Sequence, residues 1–203
     1  MTNKKPNHDN VSHKEKMQEL KSNVDEKIRS ARDKKGLLIV NTGHGKGKST
    51  AAFGTVARAV GHGKKAAVVQ FIKGQWTCGE RDLLQTHGVE FIVMGTGFTW
   101  NTQDKDADKK AAEEVWKKTL SWLQTAALDL LVLDELTYMI NFGYLDLESV
   151  IKAIKERPPM QHLIITGRDC PKKLMDLADT VSEINSIKHA FDAGIKAQKG
   201  IDY

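Results

Sequence analysis

Residues 37–50 read Leu-Leu-Ile-Val-Asn-Thr-Gly-His-Gly-Lys-Gly-Lys-Ser-Thr, a short apolar strand that runs into a glycine-rich loop. An alanine-rich stretch of helical character, from about Ser49 to Val60, follows directly. Glycines allow a loop to turn backbone N–H groups toward an anion, and a helix N-terminus adds its dipole to the same anion. The stretch therefore predicts a phosphate-binding loop of the kind that holds a nucleoside triphosphate.

Each part of this phosphate loop has an expected role. Gly43, Gly45 and Gly47 tolerate positive φ and carry no side chain that would block a polyphosphate lying close to the loop. Lys48 supplies a positive charge, and Ser49 offers its hydroxyl to a magnesium ion. The spacing is shifted by one place from the G-x-x-x-x-G-K-[ST] pattern, since a threonine stands where the first glycine would be. The ATP-binding residues predicted in the loop are Thr42, Gly43, His44, Gly45, Lys46, Gly47, Lys48, Ser49 and Thr50.

Length and composition favour one globular domain that binds neither nucleic acid nor membrane. The chain has 203 residues, of which 40% are apolar, and this is enough for a single packed core. Residues 1–35 hold ten of the 31 Lys and Arg but only six of the 26 Asp and Glu, so the rest of the chain is nearly neutral. Nucleic acid is therefore not expected as a partner. Since the start is polar and no apolar run approaches the roughly 20 residues of a membrane span, we expect a cytoplasmic protein.

Cys78 and Cys170 are the two cysteines of the chain. They are far apart and form no C-x-x-C pair, so the sequence indicates neither a disulfide framework nor a zinc site. Both are expected to be plain thiols.

The chain is expected to consist of a basic N-terminal arm, residues 1–35, and a phosphate-loop domain, residues 36–203. Residues 1–12 are polar and without periodicity, which predicts disorder. Residues 13–33 carry an apolar residue at every third or fourth position, which predicts a helix with a narrow apolar stripe. This helix either packs loosely on its own domain or covers a ligand site, of its own or of a second subunit.

Short apolar runs alternate with helical patterns in the phosphate-loop domain. This order predicts an α/β fold: a mostly parallel, RecA-like sheet of the P-loop NTPase type with helices on both faces, strands buried on both faces, and ligands at their carboxyl ends. The predicted strands are 37–40, 66–71, 89–94, 130–133, 163–166 and 180–184. The predicted helices are 49–60, 81–86, 106–127, 147–156 and 171–177. Trp116, Leu120 and Leu123 lie at helical spacing and are predicted to be core residues.

Two carboxylates, Asp134 and Glu135, end the fourth apolar run. We expect this strand to lie beside the strand that leads into the phosphate loop, because an acid there can bind the magnesium ion directly or through water. Asp134 is the usual ligand by pattern, whereas Glu135 is a second ligand or, in a hydrolase, the base that orients water. The predicted metal set is therefore Ser49, Asp134 and Glu135, with Mg²⁺ or Mn²⁺.

Three loops at the carboxyl ends of predicted strands carry further candidate contacts. Phe98 and Trp100 are flanked by glycines after the third strand, and they either enter the core or present a flat apolar face to a large ligand. Glu80 and Arg81 follow the second strand and can reach the same end of the sheet. Arg168 follows the fifth strand, where it either contacts ribose or phosphate or is a solvated surface arginine.

Five longer stretches are distinctive as a set: T-G-H-G-K-G-K-S-T-A-A-F-G at 42–54, V-V-Q-F-I-K-G at 68–74, G-F-T-W at 97–100, V-L-D-E-L-T-Y at 132–138 and K-H-A-F-D-A-G-I-K-A-Q-K-G-I-D-Y at 188–203. Together they resemble the phosphate-loop cob(I)alamin adenosyltransferases, from about residue 15 to the end. His44 and Ser49 stand where asparagine and threonine are common in that family. Neither change removes a backbone donor or the hydroxyl that faces the metal.

The resemblance implies transfer of the 5′-deoxyadenosyl group of ATP to the cobalt of a reduced corrinoid, with release of tripolyphosphate. The ATP is then expected to lie reversed in the loop relative to ordinary ATPases. Lys46, Lys48 and the loop N–H groups would stabilise the leaving group. Ser49 and Glu135 would be the metal ligands, with Asp134 supporting them.

The resemblance also implies a role for the aromatic loop and a set of partners. Phe98 and Trp100 would displace the lower axial base of the corrinoid, leaving a four-coordinate cobalt that is more readily reduced to Co(I). These two residues and Lys48 are the predicted catalytic set, and the two aromatic residues with Glu80 and Arg81 are the predicted corrinoid contacts. The expected partners are cobalamin or a cobinamide-type corrinoid, an electron-donating flavoprotein, and a second copy of the chain in a homodimer.

Three other functions stay open at this point. The first is an ATPase or RecA-like motor with Glu135 as base, which would release ADP and orthophosphate without a corrinoid. The second is a carrier that holds the nucleotide or the corrinoid and forms no carbon–cobalt bond. The third is nucleic-acid binding by residues 1–35, which would weaken steeply with salt.

Overall fold

The structure is a computed structural model that describes residues 13–72, 77–95 and 105–202. The chain divides into two compact units, with the boundary between Lys34 and Lys35. The first unit contains helix α1, His13–Ser30, as the apolar periodicity predicts. The disorder predicted for residues 1–12 lies outside the described residues.

The second unit is built from parallel strands that alternate with helices. Its strands are β1 Leu38–Thr42, β2 Ala66–Gln70, β3 Glu90–Val93, β4 Leu130–Asp134, β5 His162–Thr166 and β6 Thr180–Glu183. Its helices are α2 Lys48–Gly61, α3 Gly79–Gln85, α4 Lys105–Leu123, α5 Leu136–Asn141, α6 Leu147–Lys155 and α7 Lys172–Leu177, and a 3₁₀ turn spans Ala190–Ala193. The six predicted strands and five predicted helices of this unit are confirmed. Helix α5 was not predicted, because six residues directly after a strand are too few to show a helical period.

The strand order across the sheet is β3-β2-β4-β5-β1-β6, and all pairings are parallel. The phosphate-loop strand β1 therefore lies between β5 and β6. The prediction that the strand ending in Asp134 lies beside β1 is wrong, because β5 separates the two. As a result, the end of β5 lies between the phosphate loop and the two carboxylates.

Helices cover both faces of this sheet, as predicted. Alternate residues of a strand enter opposite apolar clusters: on β4, Leu131 and Leu133 join one cluster, and Leu130 and Val132 join the other. Residues of α4, α5, α6 and α7 fill the first cluster, whereas residues of α2 and α3 fill the second. Of the three residues predicted for the core of α4, Trp116 and Leu123 are buried, and Leu120 packs against the same cluster half-buried.

Burial on both faces holds for the inner strands but not for the edges. All four residues of β6 are exposed, and β3 is only partly covered. An edge strand has a neighbouring strand on one side only. Its burial therefore depends on whether a helix or loop covers it, which the sequence of the strand does not predict. Within the described ranges, no helix combines the length and the apolar character needed to cross a membrane.

Cys78 and Cys170 are both buried, and they are not joined in a disulfide. Burial raises the pKa of the Cys170 thiol to about 11. This thiol therefore stays protonated at neutral pH and is a weak nucleophile.

Candidate functional site

The phosphate loop connects β1 to the first residue of α2, Lys48. Gly43 and Gly47 have φ of 96° and 111°, in the left-handed region that favours glycine, as predicted. Gly45 does not share this conformation. Glycine is required at that position for space instead, since a Cβ would lie 2.8 Å from the carbonyl carbon and oxygen of Asn185.

The chain that follows β6 packs against the phosphate loop. The Gly45 N–H donates to the Ile184 carbonyl at 2.6 Å, and the Ile184 N–H donates to the Thr42 carbonyl at 2.9 Å. A Cβ at Gly43 would lie 2.5 Å from the same Ile184 oxygen. The Gly45 N–H is thus bound within the protein rather than turned toward a ligand. At Gly47, by contrast, an added Cβ meets nothing within 4 Å.

Lys48 lies at the centre of the site. Its side chain is buried, and its Nζ donates to the Gly45 carbonyl at 2.7 Å. The pKa of this ammonium is lowered, chiefly by burial. The Glu135 and Asp134 carboxylates oppose this shift, and the Arg168 guanidinium adds to it. These interactions show that the structure brings four predicted site residues together. A lysine ammonium at the N-terminus of a helix is a group that can bind a polyphosphate.

The two carboxylates that follow β4 have different environments. Asp134 is completely buried: its Oδ1 accepts from Thr166 Oγ1 at 2.8 Å and its Oδ2 from Gln70 Nε2 at 3.4 Å. Glu135 is half-buried and has φ of 62°, an unusual conformation for a residue with a side chain. The Glu135 N–H donates to the same Thr166 hydroxyl at 2.9 Å. Thr166 therefore links the buried Asp134 carboxylate to the backbone of Glu135.

Thr166 and Gln70 were not singled out in the sequence. Each is the last residue of a buried strand, and Gln70 lies opposite Asp134 in the register of β2 and β4. A polar residue that ends an apolar run is the signal that points to them, because the carboxyl ends of parallel strands meet at one edge of the sheet.

Arg168 lies exposed on the turn that follows β5, and α5 fixes this turn. Thr137 Oγ1 donates to the Arg168 carbonyl at 2.7 Å, and Asn141 Nδ2 donates to the Asp169 carbonyl at 3.1 Å. Gly167 has φ of 141°, and a Cβ on it would lie 2.0 Å from Thr137 Oγ1. The helix that the sequence did not predict therefore positions a predicted ligand contact.

Helix α5 also brings an aromatic residue to the site. Tyr138 is half-buried, and its pKa is raised by burial and then by the Glu135 carboxylate. Its ring lies 5.7 Å from that of Phe142, which in turn lies 5.7 Å from that of Tyr144. Tyr138 thus connects the carboxylate end of the site to a partly exposed aromatic cluster.

The other loop residues lie at the rim of the site. His44 Nε2 is 3.1 Å from Asp169 Oδ1, and Lys46 forms an ion pair with Asp202. The Thr42 side chain is buried and accepts the Cys170 N–H at 3.2 Å, which makes it a support of the loop. On the first turn of α2, Ser49 is half-buried and Thr50 is exposed.

The predicted corrinoid contacts are described only in part. Phe98 and Trp100 lie outside the described residues. In the first turn of α3, Glu80 accepts from the Cys78 thiol at 3.4 Å, and Arg81 Nε lies 3.9 Å from Asp82 Oδ1. A role for these residues toward a corrinoid stays a prediction.

The oxygen donors near the loop fit magnesium in combination with a polyphosphate. Among the described residues, no group of three or more His, Cys, Asp and Glu side chains could hold a metal by itself. Mg²⁺ usually keeps several waters and is bound by one or two carboxylates together with substrate phosphates. A hydroxyl at Ser49 and a carboxylate at Glu135 supply donors of this type.

Comparison with known proteins identifies the family. A family model described as ATP:corrinoid adenosyltransferase BtuR/CobO/CobP matches residues 34–203. The chain belongs to this family. The resemblance seen in the sequence is therefore confirmed, and the protein is an enzyme of the transferase class.

Curated corrinoid adenosyltransferases match nearly the whole chain. The relative from Escherichia coli (strain K12) is 56% identical over 191 residues, which cover 94% of this chain and 97% of that protein. The relative from Salmonella typhimurium is 57% identical with the same coverage. The relative from Pseudomonas aeruginosa is 49% identical and covers 94% of this chain and 95% of that protein.

Solved structures with a similar fold have low sequence identity. The flagellar accessory protein FlaH from Methanocaldococcus jannaschii is 13% identical, covers 79% of this chain and 76% of its own, and has a TM-score of 0.49. The corrinoid adenosyltransferase family assignment rests on the family model and the curated relatives.

Proposed function

We propose that the enzyme transfers the 5′-deoxyadenosyl group of ATP to the cobalt of a reduced corrinoid, either cobalamin or a precursor, and releases tripolyphosphate. The reaction would serve the synthesis or salvage of adenosylcobalamin. The observation that carries the proposal is the buried Lys48 ammonium at the end of the phosphate loop, which interacts with Glu135, Arg168 and Asp134. In a member of this family, such a cluster is suited to hold the triphosphate of ATP while C5′ of the ribose reacts.

The reaction needs no general base from the protein. The cobalt of a Co(I) corrinoid attacks C5′ of ATP with its own electron pair and forms the cobalt–carbon bond. The bond between C5′ and the phosphate oxygen breaks, and its electron pair leaves with tripolyphosphate. The protein contributes alignment of the two substrates and stabilisation of the charge on the leaving group.

The loop residues stabilise that charge. Lys48 is positioned to contact the polyphosphate, because its Nζ already lies against the loop at the Gly45 carbonyl. The free space at Gly47 leaves room for a phosphate beside the start of α2, where the helix dipole favours an anion. Lys46 and Arg168 add positive charge at the two sides of the loop.

Ser49 and Glu135 are the proposed ligands of Mg²⁺, and Mn²⁺ has similar ligand preferences. When bound, the ion neutralises charge on the departing tripolyphosphate. Asp134 supports the site from within, because both of its oxygens already accept hydrogen bonds from Thr166 and Gln70.

Thr166→Val is expected to weaken metal use while the fold persists. The valine keeps the shape but removes the hydroxyl that accepts the Glu135 N–H and donates to Asp134. We expect Mn²⁺ binding in the presence of ATP, measured by electron paramagnetic resonance, to weaken about tenfold. Thr166→Ser keeps the hydroxyl and should bind Mn²⁺ as the wild type does. Equal binding by the valine variant and the wild type would contradict the link between Thr166 and Glu135.

Trp100→Ala is expected to affect the reduction of the corrinoid more than the transfer. Since the aromatic loop is proposed to displace the lower axial base, the variant should lose most activity in assays that start from Co(II). The loss should be much smaller when chemically prepared Co(I) is supplied. Equal losses in both assays would contradict the proposed role of this residue.

The remaining partners follow from the family resemblance. We propose a homodimer, a flavoprotein that donates electrons to the corrinoid, and a cytoplasmic location. Sedimentation analysis of the full chain tests the first of these directly.

An optical assay tests the proposed function as a whole. The protein is incubated with ATP, Mg²⁺ and chemically reduced cobalamin, and the spectrum is followed as the cobalt–carbon bond forms. We expect a spectrum of adenosylcobalamin that requires both ATP and enzyme. Release of ADP and orthophosphate without any corrinoid would identify an ATPase instead, and binding of both substrates without a spectral change would identify a carrier.

A further inference from the structure

Residues 167–170 form the turn that follows β5, and we call it the β5 turn. Side chains of α5 donate hydrogen bonds to carbonyl groups on one side of this turn. The other side contacts the strand that leads into the phosphate loop: the Gly167 N–H donates to the Asn41 carbonyl at 3.3 Å, and the Cys170 N–H donates to Thr42 Oγ1 at 3.2 Å. The β5 turn therefore bridges α5 and the phosphate loop.

Asp169 has a backbone conformation that residues with a side chain rarely adopt. Its φ is 50°, and among the described residues other than glycine only Glu135 shares a positive φ. Such conformations are unfavourable, and they occur most often at functional sites, where the surrounding structure maintains them. In this conformation the Asp169 carboxylate reaches the phosphate loop, where His44 Nε2 lies 3.1 Å from Oδ1.

His44 changes the nature of this contact when it changes charge. The charged and titratable groups on its own loop, on the β5 turn and on the chain that packs against the loop after β6 are Lys46, Arg168, Asp169, Glu183, Lys188, His189 and Asp202. Among the described residues, Asp169 is the only carboxylate that pairs with His44, whereas Asp202 pairs with Lys46. A protonated His44 forms an ion pair with Asp169, and a neutral His44 can donate only a hydrogen bond.

The position of Arg168 depends on the β5 turn. Arg168 directly precedes Asp169, and its guanidinium is close enough to the Lys48 ammonium to lower the pKa of that lysine. The two positive groups of the proposed triphosphate site thus come from the two segments that the contact between His44 and Asp169 joins. Two like charges repel each other when no anion lies between them, and this contact opposes their separation.

We propose that His44 and Asp169 form a latch, which holds Arg168 beside the phosphate loop and so favours the binding of ATP. Both are positioning residues whose side chains do not contact the nucleotide. The latch is stronger when His44 is protonated, because the attraction of opposite charges then adds to the hydrogen bond. The proposal rests on the proposed function in one respect, since it takes ATP as the ligand of the phosphate loop.

A double-mutant cycle for ATP binding tests the latch. The affinity of the full chain for ATP with Mg²⁺ is measured by calorimetry, without corrinoid, at pH 6 and at pH 8. At pH 6, His44→Asn should weaken ATP binding about threefold when Asp169 is present, and by less than about 1.3-fold in the Asp169→Asn background. At pH 8 the effect in the presence of Asp169 should be smaller. Comparing variants at the same pH removes the titration of ATP itself.

His44→Gln separates the hydrogen bond from the charge. The glutamine amide can place an N–H near the position of the histidine Nε2, but it stays neutral. This variant should therefore bind ATP as the wild type does at pH 8, and about threefold more weakly than the wild type at pH 6. His62→Asn is the matched control: His62 is exposed at the end of α2, and its loss should change the ATP affinity at neither pH.

Three results would overturn the latch. If His44→Asn weakens ATP binding equally in both backgrounds, the His44 side chain contacts the nucleotide itself. If it weakens binding in neither background, the contact has no part in ATP binding. The same loss at pH 6 and at pH 8 would contradict the role of the histidine charge. Formation of adenosylcobalamin by the wild type, measured on the same preparation, keeps the two proposals apart, because the proposed function fails only if the wild type forms none.

Discussion

Lys48→Met is expected to lower the rate of adenosyl transfer by about a thousandfold, since it removes a positive charge from the point where charge develops on the leaving group. Methionine has nearly the length of lysine and fills the same buried space, so the change isolates the charge. The loss should appear equally with Co(II) plus a reductant and with prepared Co(I), because both routes pass through the departure of tripolyphosphate. Initial rates of cobalt–carbon bond formation measure the effect.

Stability measurements separate this loss from misfolding. Burial of the Lys48 ammonium is unfavourable in the absence of an anion, as its lowered pKa indicates, so Lys48→Met should unfold at the same temperature as the wild type or higher. Lys117→Met removes an exposed lysine of α4 and should retain full activity. A folded Lys48→Met enzyme that keeps wild-type rates would contradict the role of this residue.

Glu135→Gln is expected to reduce transfer by about a hundredfold at ordinary Mg²⁺ concentrations, with part of the rate restored at high Mg²⁺. The substitution keeps the shape of the side chain, and the backbone N–H of residue 135 still donates to Thr166. The side-chain amide of glutamine is, however, a weaker metal ligand than a carboxylate. The measurement is the initial rate as a function of Mg²⁺ concentration.

Asp134→Asn is the comparison variant for Glu135→Gln, because it tests which of the two carboxylates binds the metal. Asp134 faces Thr166 and Gln70 inside the protein, so its variant should lose thermal stability with a smaller change in the Mg²⁺ requirement. If Asp134→Asn raised the Mg²⁺ requirement more than Glu135→Gln, the metal ligand would be Asp134, and the proposed assignment of Glu135 would be incorrect.

Local sequence was sufficient to predict all the elements of the second unit except α5 and the 3₁₀ turn, and to place the candidate site residues at one end of the sheet. The strand before the loop, the helix after it and the acids that end β4 each appear in a short stretch with a clear pattern. Because all six strands are parallel, their carboxyl ends meet at one edge of the sheet, and Lys48, Glu135 and Arg168 come together there as expected.

Features that depend on long-range contacts were not predictable in the same way. The position of β5 between β1 and β4 is a property of strand order, which the pattern of a single strand does not encode. Thr166 and Gln70 acquire their roles through contacts 32 and 64 residues away in sequence. The reason for glycine at position 45 is the approach of Asn185, which no local pattern of the loop reveals.

The central claim is that the phosphate loop holds the triphosphate as one leaving group while C5′ reacts with the cobalt. Phosphorus NMR of the products of a complete reaction with prepared Co(I) corrinoid tests it most directly. We predict one tripolyphosphate for each cobalt–carbon bond formed, and no ADP. Formation of ADP and orthophosphate in place of tripolyphosphate, with cobalt left unalkylated, would contradict it.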